Sequence, residues 1–242
     1  MTHQSKVDAF IAERTSEYHQ KLLAKLETLK LLQVLKRKNP YLFKVKAINT
    51  SQELVESILS AHLSSQEEAI FGGLLEQIAI FICAEVKGGV KSSAEGIDLE
   101  FEDNGCRYIV SVKSGPNWGN SASIKKLKDH FKQAKRILGT NSGNQNVIAI
   151  NGCCYGQETV SDKGDYLKLC GEEFWTLISD DPNFYIRIIK PIGNQAFQRN
   201  ETFKDRYSQV VNRFTREFSN TYCDEQGAIN WEDLLKYNSG KR

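Results

Sequence analysis

Residues 95–121 read E-G-I-D-L-E-F-E-D-N-G-C-R-Y-I-V-S-V-K-S-G-P-N-W-G-N-S. Apolar and polar side chains alternate from Ile97 to Glu102 and again from Cys106 to Lys113, the period-2 pattern of strands with two different faces. Asn104-Gly105 sits between them, and both residues tolerate the positive φ of a type I′ turn. The stretch therefore predicts a β-hairpin with Asp103 opposite Cys106, Glu102 opposite Arg107, Glu100 opposite Ile109 and Asp98 opposite Ser111. One face carries Ile97, Leu99, Phe101, Cys106, Tyr108, Val110 and Val112 and must pack on a core; the other carries Asp98, Glu100, Arg107, Ser111 and Lys113. Opposed Cβ atoms lie about 4.5–5.5 Å apart and diagonal ones about 7–8 Å, so Asp98, Ser111 and Lys113 converge on one small volume.

Working outward, the loop Ser114 to Asn120 has two glycines, a proline and a tryptophan expected to be exposed, Trp118; its backbone can approach a ligand closely. A helix from Ser121 to Leu138 follows, with Ile124, Leu127, Phe131, Ala134 and Leu138 on one side. Over residues 125–136 its other side carries Lys125, Lys126, Lys128, Lys132, Lys135 and Arg136, opposed in sequence by Asp129 alone. Residues 139–145 read as a turn-rich loop, 146–153 as an apolar strand extending the sheet, 166–170 as another strand and 171–179 as a helix in which Phe174 and Trp175 anchor the core. Long and short amphipathic helices over about 201–223 and 230–235 close the chain.

Upstream, apolar positions from Val7 to Leu29 recur at helical spacing, predicting a helix over about 6–36. Asn39-Pro40 reads as its stop, residues 41–48 as extended, and Thr50-Ser51-Gln52-Glu53 as a capping box. A second box, Ser65-Gln66-Glu67-Glu68, is expected to open a separate helix that is apolar almost all round and therefore central. Its mid-course carboxylate is Glu76, one turn beyond Gly72 and Gly73.

The chain has 242 residues, 40% hydrophobic and 26% charged, and its 32 Lys+Arg against 30 Asp+Glu leave a net charge of only +2. That is ordinary globular composition, and any strong anion-binding field must come from local clustering. Six cysteines lack metal or disulfide spacing, which suggests reduced thiols. With no leader and no uninterrupted apolar run of about 18–20 residues, the expectation is a soluble cytoplasmic protein. Walker loops, G-x-S-x-G and H-E-x-x-H are absent from the sequence, and the four histidines stand singly, which leaves the hairpin as the seat of any chemistry.

Asp98, the hairpin and Ser111-Val112-Lys113 resemble the active-site core of the PD-(D/E)xK nucleases, with serine where the second carboxylate usually stands. K-N-P-Y-L at 38–42, E-E-A-I-F-G at 67–72, V-K-S-G-P-N-W-G-N-S at 112–121 and C-G-E-E-F-W at 170–175 together resemble a group of small type II restriction endonucleases. The likeness runs over about residues 38–237. It implies an α/β (α+β) fold with a central mixed sheet flanked by helices, here a nuclease core over 64–242 behind an N-terminal helical region over 1–63 that serves as an arm, a DNA contact or a dimerisation surface.

The resemblance also implies roles. Asp98 would anchor Mg²⁺, the backbone carbonyl of Val112 would be another ligand, and Lys113 would hold or deprotonate the water or stabilise the phosphate. Ser111 brings no charge, so the expectation is that Glu76 or Glu95 supplies the missing carboxylate or that a single metal suffices. Ser114, Asn117, Trp118, Asn120 and Ser121 would approach a DNA groove, and Lys125, Lys128 and Lys132 would meet phosphates. The expected partner is double-stranded DNA with a short (pseudo)palindromic site, the expected state a homodimer matching that symmetry, and a cognate DNA methyltransferase is expected in the same system without a stable complex. A repair or recombination nuclease of the same fold and a catalytically inactive DNA-binding module are the competing readings.

Overall fold

The computed structural model describes residues 3–141, 146–193 and 196–241. In chain order the elements are α1 (His3–Glu27), α2 (Leu31–Leu35), α3 (Pro40–Val45), α4 (Ser51–Lys87), β1 (Val90–Lys91), β2 (Leu99–Asp103), β3 (Cys106–Lys113), α5 (Ser121–Asn141), β4 (Asn146–Cys153), β5 (Leu167–Cys170), α6 (Glu172–Ser179), α7 (Phe184–Arg187), α8 (Ile189–Gly193), α9 (Ala196–Tyr222) and α10 (Trp231–Ser239). They fall into two compact units, one taking the described residues of Met1–Thr15 and Phe71–Asn194, the other those of Ser16–Ile70 and Gln195–Arg242. The unit boundaries lie inside α1 and α4, and α9 and α10 share a unit with the helices of residues 16–70.

The first unit is built on a five-stranded sheet in the order β1-β2-β3-β4-β5. The pairings β1·β2 and β2·β3 are antiparallel, whereas β3·β4 and β4·β5 are parallel, so the expected mixed α/β sheet is present. The hairpin register is the one the turn dictates: Asp103 pairs with Cys106, Glu102 with Arg107 and Glu100 with Ile109. Asn104 and Gly105 take φ of 49° and 75°, both in the left-handed region that a type I′ turn requires. Phe101 and Tyr108, paired across the ladder, stack at 4.7 Å.

The polar face of the hairpin is not simply solvated. β3 is central, and Ile109 on that face packs with Leu127, Phe131 and Ala134 of α5, Ala149 of β4 and Tyr166. A strand covered on both sides reads as a continuous apolar run, which is why Ile109 to Val112 are all buried.

The helices correct four expectations. Asn39-Pro40 starts a helix rather than an extended piece: the Asn39 side chain accepts the Tyr41 N–H at 3.0 Å and Pro40 occupies the first turn, where its missing N–H costs nothing. The helix expected over 6–36 ends at Glu27, and α2 follows it. The Thr50 cap forms, with Oγ1 accepting from Glu53 N–H at 3.2 Å, but the second box does not. Ser65 instead donates to the Ala61 carbonyl at 3.1 Å, the i−4 back-bond open to a mid-helix serine, and α4 runs unbroken for 37 residues. By length and composition α4 could span a bilayer, yet its buried positions recur at helical spacing: Leu54, Val55, Ile58, Leu59 and Leu63 in one unit, Leu74, Leu75, Ile78, Ala79, Ile82 and Cys83 in the other. Of the loop expected over 139–145, residues up to Asn141 continue α5 and 142–145 lie outside the described residues.

The second unit has its own core, in which α4 contributes Leu54, Val55, Ile58, Leu59 and Leu63. α9 adds Val210, Val211, Phe214, Phe218 and Tyr222, while α2 and α3 supply Leu31, Val34, Leu35 and Phe43.

On β4, Gly152 stands beside Val112, and a Cβ there would lie 2.2 Å from the ring of buried Phe174. The glycine is thus a spacing requirement of the α6–sheet contact. Gly152→Ala should cost about 1–3 kcal/mol by overpacking, read as a lowered urea midpoint with an unchanged slope.

Candidate active site

Asp98 follows the short loop from β1 into β2, and its N–H donates to the Val110 carbonyl at 2.8 Å, continuing the hairpin ladder by one residue. Its side chain turns back across the strands: Oδ2 accepts the Val112 N–H at 2.6 Å. Ser111 Oγ lies 3.4 Å from the same oxygen, and Lys113 Nζ lies 3.9 Å from it. Lys113 Nζ donates to Ser111 Oγ and to the Val112 carbonyl, each at 2.9 Å. The convergence read from the register is therefore present, and the serine hydroxyl bridges ammonium and carboxylate.

Glu76 reaches this group from α4. Burial holds its carboxyl above the usual range, and the negative charge of Asp98 raises it further, against the opposing pull of Lys91 and Lys113. Gly72, one turn earlier, is where α4 comes near Ser114: a Cβ there would stand 3.7 Å from the serine Cβ. Glu95 is placed elsewhere. It is mostly exposed and faces His130 Nε2 at 3.5 Å and Lys126 at 3.9 Å on α5.

The loop after β3 is less free than its glycines suggest. Trp118 is half-buried, contrary to the expectation of an exposed ring; its Nε1–H donates to Asn151 Oδ1 at 3.0 Å, and its ring lies 5.4 Å from the Lys113 ammonium, a cation–π contact. The Pro116 carbonyl is held by Lys168 Nζ at 3.1 Å. Asn120 Oδ1 accepts from Ser123 N–H at 3.0 Å as the cap of α5. Asn117, Ser121 and Lys125 are exposed, and the Ser114 carbonyl is taken by Tyr155 N–H.

The basic helix is also more neutralised in space than in sequence. Asp165, in the loop before β5, meets Lys128 at 3.1 Å and Lys132 at 4.0 Å. Lys128 and its neighbours hold that carboxyl below its ordinary value.

Asn151 was not among the expected site residues. It is fully buried, paired with Ser111 across β3·β4, and donates from Nδ2 to the Ser111 carbonyl at 3.3 Å while accepting from Trp118. An amide inside the apolar run N-V-I-A-I-N-G-C was the available signal, because a buried polar side chain must find partners.

A family model, Type II restriction endonuclease EcoO109I, matches residues 5–200. The chain belongs to this restriction endonuclease family. It is accordingly a site-specific deoxyribonuclease, a hydrolase of DNA, and the mixed sheet is the framework of that family's fold. No curated protein matches the chain significantly.

Two outcomes follow from this geometry. Asn151→Ala strips the acceptor from Trp118 and the donor from Ser111 in a buried place, so it should destabilise by about 1–3 kcal/mol and raise Trp118 exposure to acrylamide quenching, read in a background where Trp175 and Trp231 are replaced by phenylalanine. For Glu76 the folded carboxyl binds its proton more tightly than the unfolded one, so its contribution to stability is full below the unfolded value and is lost as pH rises through the folded value. In EDTA, Glu76→Gln should therefore raise the urea midpoint near neutral pH, with the gain shrinking toward about pH 4.

Proposed function

We propose that this endonuclease makes Mg²⁺-dependent double-strand cuts at a short (pseudo)palindromic site, using Asp98, Ser111, Lys113 and Glu76 as its reactive constellation. The observation that carries the reading is the chain Lys113 Nζ to Ser111 Oγ to Asp98 Oδ2, with the same carboxylate oxygen anchored by the Val112 N–H.

The donor set suits a hard divalent cation. Among the described residues there is no cluster of three or more His, Cys, Asp or Glu, but Mg²⁺ needs only one or two carboxylates because it keeps several waters. Asp98, Glu76 and the Val112 carbonyl would hold it, and the carboxyl of Glu76, raised by burial and then by the charge of Asp98, feels a like-charge repulsion that a bound cation would relieve. When bound, the ion activates water and offsets charge on the phosphate.

The chain's own groups do the rest. The Val112 N–H fixes which Asp98 oxygen faces the ladder and leaves the other for coordination. Lys113 is a compact cation whose donors can reorient from the Val112 carbonyl to the attacking water or to a phosphate oxygen. The Ser111 hydroxyl keeps Lys113 and Asp98 in register without adding a negative charge.

A homodimer would present one such constellation to each strand of a two-fold site, and a cognate methyltransferase would protect the host DNA in the cytoplasm.

Incubation with plasmid DNA and Mg²⁺ should give discrete fragments whose ends map to one sequence, and EDTA should stop it. Asp98→Ala and Lys113→Ala should each lower the cleavage rate by at least about 10²–10³-fold while duplex binding in Ca²⁺ persists. Full activity in either variant would remove the assignment; binding by the wild type without Mg²⁺-dependent cutting would overturn the Mg²⁺ reading.

A further inference from the structure

The net charge of +2 conceals an imbalance outside the sheet unit. Between Thr28 and Gln52 there are six basic residues, Lys30, Lys36, Arg37, Lys38, Lys44 and Lys46, and no Asp or Glu. This stretch forms α2 and α3, whose inward sides are fixed by Leu31, Val34, Leu35, Pro40 and Phe43. Of the six cations only Lys44 lies within a helix, the others flanking α2 and α3, and Lys30, Lys36, Arg37, Lys44 and Lys46 are exposed.

Among the described residues none of the six forms an ion pair, in contrast to Lys128 and Lys132, which share Asp165. Four of them are held instead by neutral partners. Lys36 lies 5.4 Å from the Tyr237 ring, Lys44 5.0 Å from Trp231 and Lys46 5.8 Å from Phe43, and Lys38 donates to the Ala61 carbonyl at 2.7 Å. Such contacts position a cation without cancelling its charge.

Beside this row is a recess of about 210 Å³ whose polar lining includes Lys25, Thr28, Gln33, Arg37, His62 and Gln66, with no carboxylate. His62 is buried in it, and burial, Lys38, Arg37 and Lys25 all push its imidazole down. A concavity holding cations, amide donors and a neutral imidazole N–H has the chemistry of an oxyanion site. In the neighbouring recess Lys30, Lys36 and Arg213 stand with Glu27 and Glu217, and Glu27 is drawn to Arg206 at 3.4 Å.

We propose that this face of the helical unit is a docking surface for the sugar-phosphate backbone of duplex DNA, with a phosphate group seated among Lys25, Arg37, His62 and Gln66. The proposal rests on the reading of the chain as a DNA-cutting enzyme, which supplies the polyanion. The surface reads charge and not sequence, because its donors suit phosphate oxygens and no base edge is selected. Tyr41, Leu42 and Val45 are exposed between the cations, which would also suit an anionic bilayer; the membership of the chain in a restriction endonuclease family decides for DNA.

The test uses the full chain, a fluorescent duplex of scrambled sequence, EDTA to exclude cutting, and a series of salt concentrations. Lys36→Ala/Arg37→Ala and Lys44→Ala/Lys46→Ala alter exposed side chains, and their folding is checked by circular dichroism. Each pair should weaken binding about 10-fold and make the log–log salt slope shallower by about one unit per lost phosphate contact, while Arg37→Lys restores most of the slope. Wild-type binding with unchanged affinity and slope in both double variants overturns this surface and leaves the endonuclease reading intact. A wild type that binds no duplex at low salt overturns both. Loss of binding to phosphatidylserine vesicles, with duplex binding kept, assigns the face to a membrane and overturns the proposal.

Discussion

The proposed site depends on one hydrogen bond, from the Val112 N–H to Asp98 Oδ2. It ties a side chain at the entrance of β2 to the backbone near the end of β3, and it forms only in the register that Asn104-Gly105 imposes. A slip of one residue would turn the side chains of one strand to the opposite face relative to the other, parting Asp98 from Ser111 and Lys113. Fixing the turn therefore fixes the electrostatics: carboxylate, hydroxyl and ammonium share a face because each stands an even number of residues from the next or directly across the ladder.

The sequence made the hairpin legible because both of its determinants, alternation and turn chemistry, are local. The same holds for β4, β5, α6 and the cap at Thr50. What escaped reading depends on contacts distant in sequence. Ser65 is a good cap in isolation, yet α4 has buried positions on both sides of it, and the serine simply bonds to the turn below. Asn39-Pro40 can end one helix or begin another, and Phe43 packing inward selects the second. The basic face of α5 looked unopposed because Asp165 is about thirty residues further along. Trp118 looked free because its partner, Asn151, lies on another strand.

Asn151 joins two parts of the molecule that have different duties. Through its amide it restrains the Ser111 carbonyl on one side and Trp118 on the other, and the tryptophan ring in turn faces Lys113. The loop proposed to meet DNA and the lysine proposed to act on it thus share a single buried amide. A charged or aliphatic side chain could not satisfy a donor and an acceptor at once, so the residue type follows from the geometry.

The sheet changes direction at β3, antiparallel to β2 and parallel to β4. Val112-Lys113 and Gly152-Cys153 end side by side, and both strands release the chain there into loops. Lengthening or recomposing those loops would leave the ladder positions of Asp98, Ser111 and Lys113 untouched, since loop closure entropy grows only slowly with length. The ladder that carries the proposed cutting residues is therefore closed independently of the length of the segments that leave it.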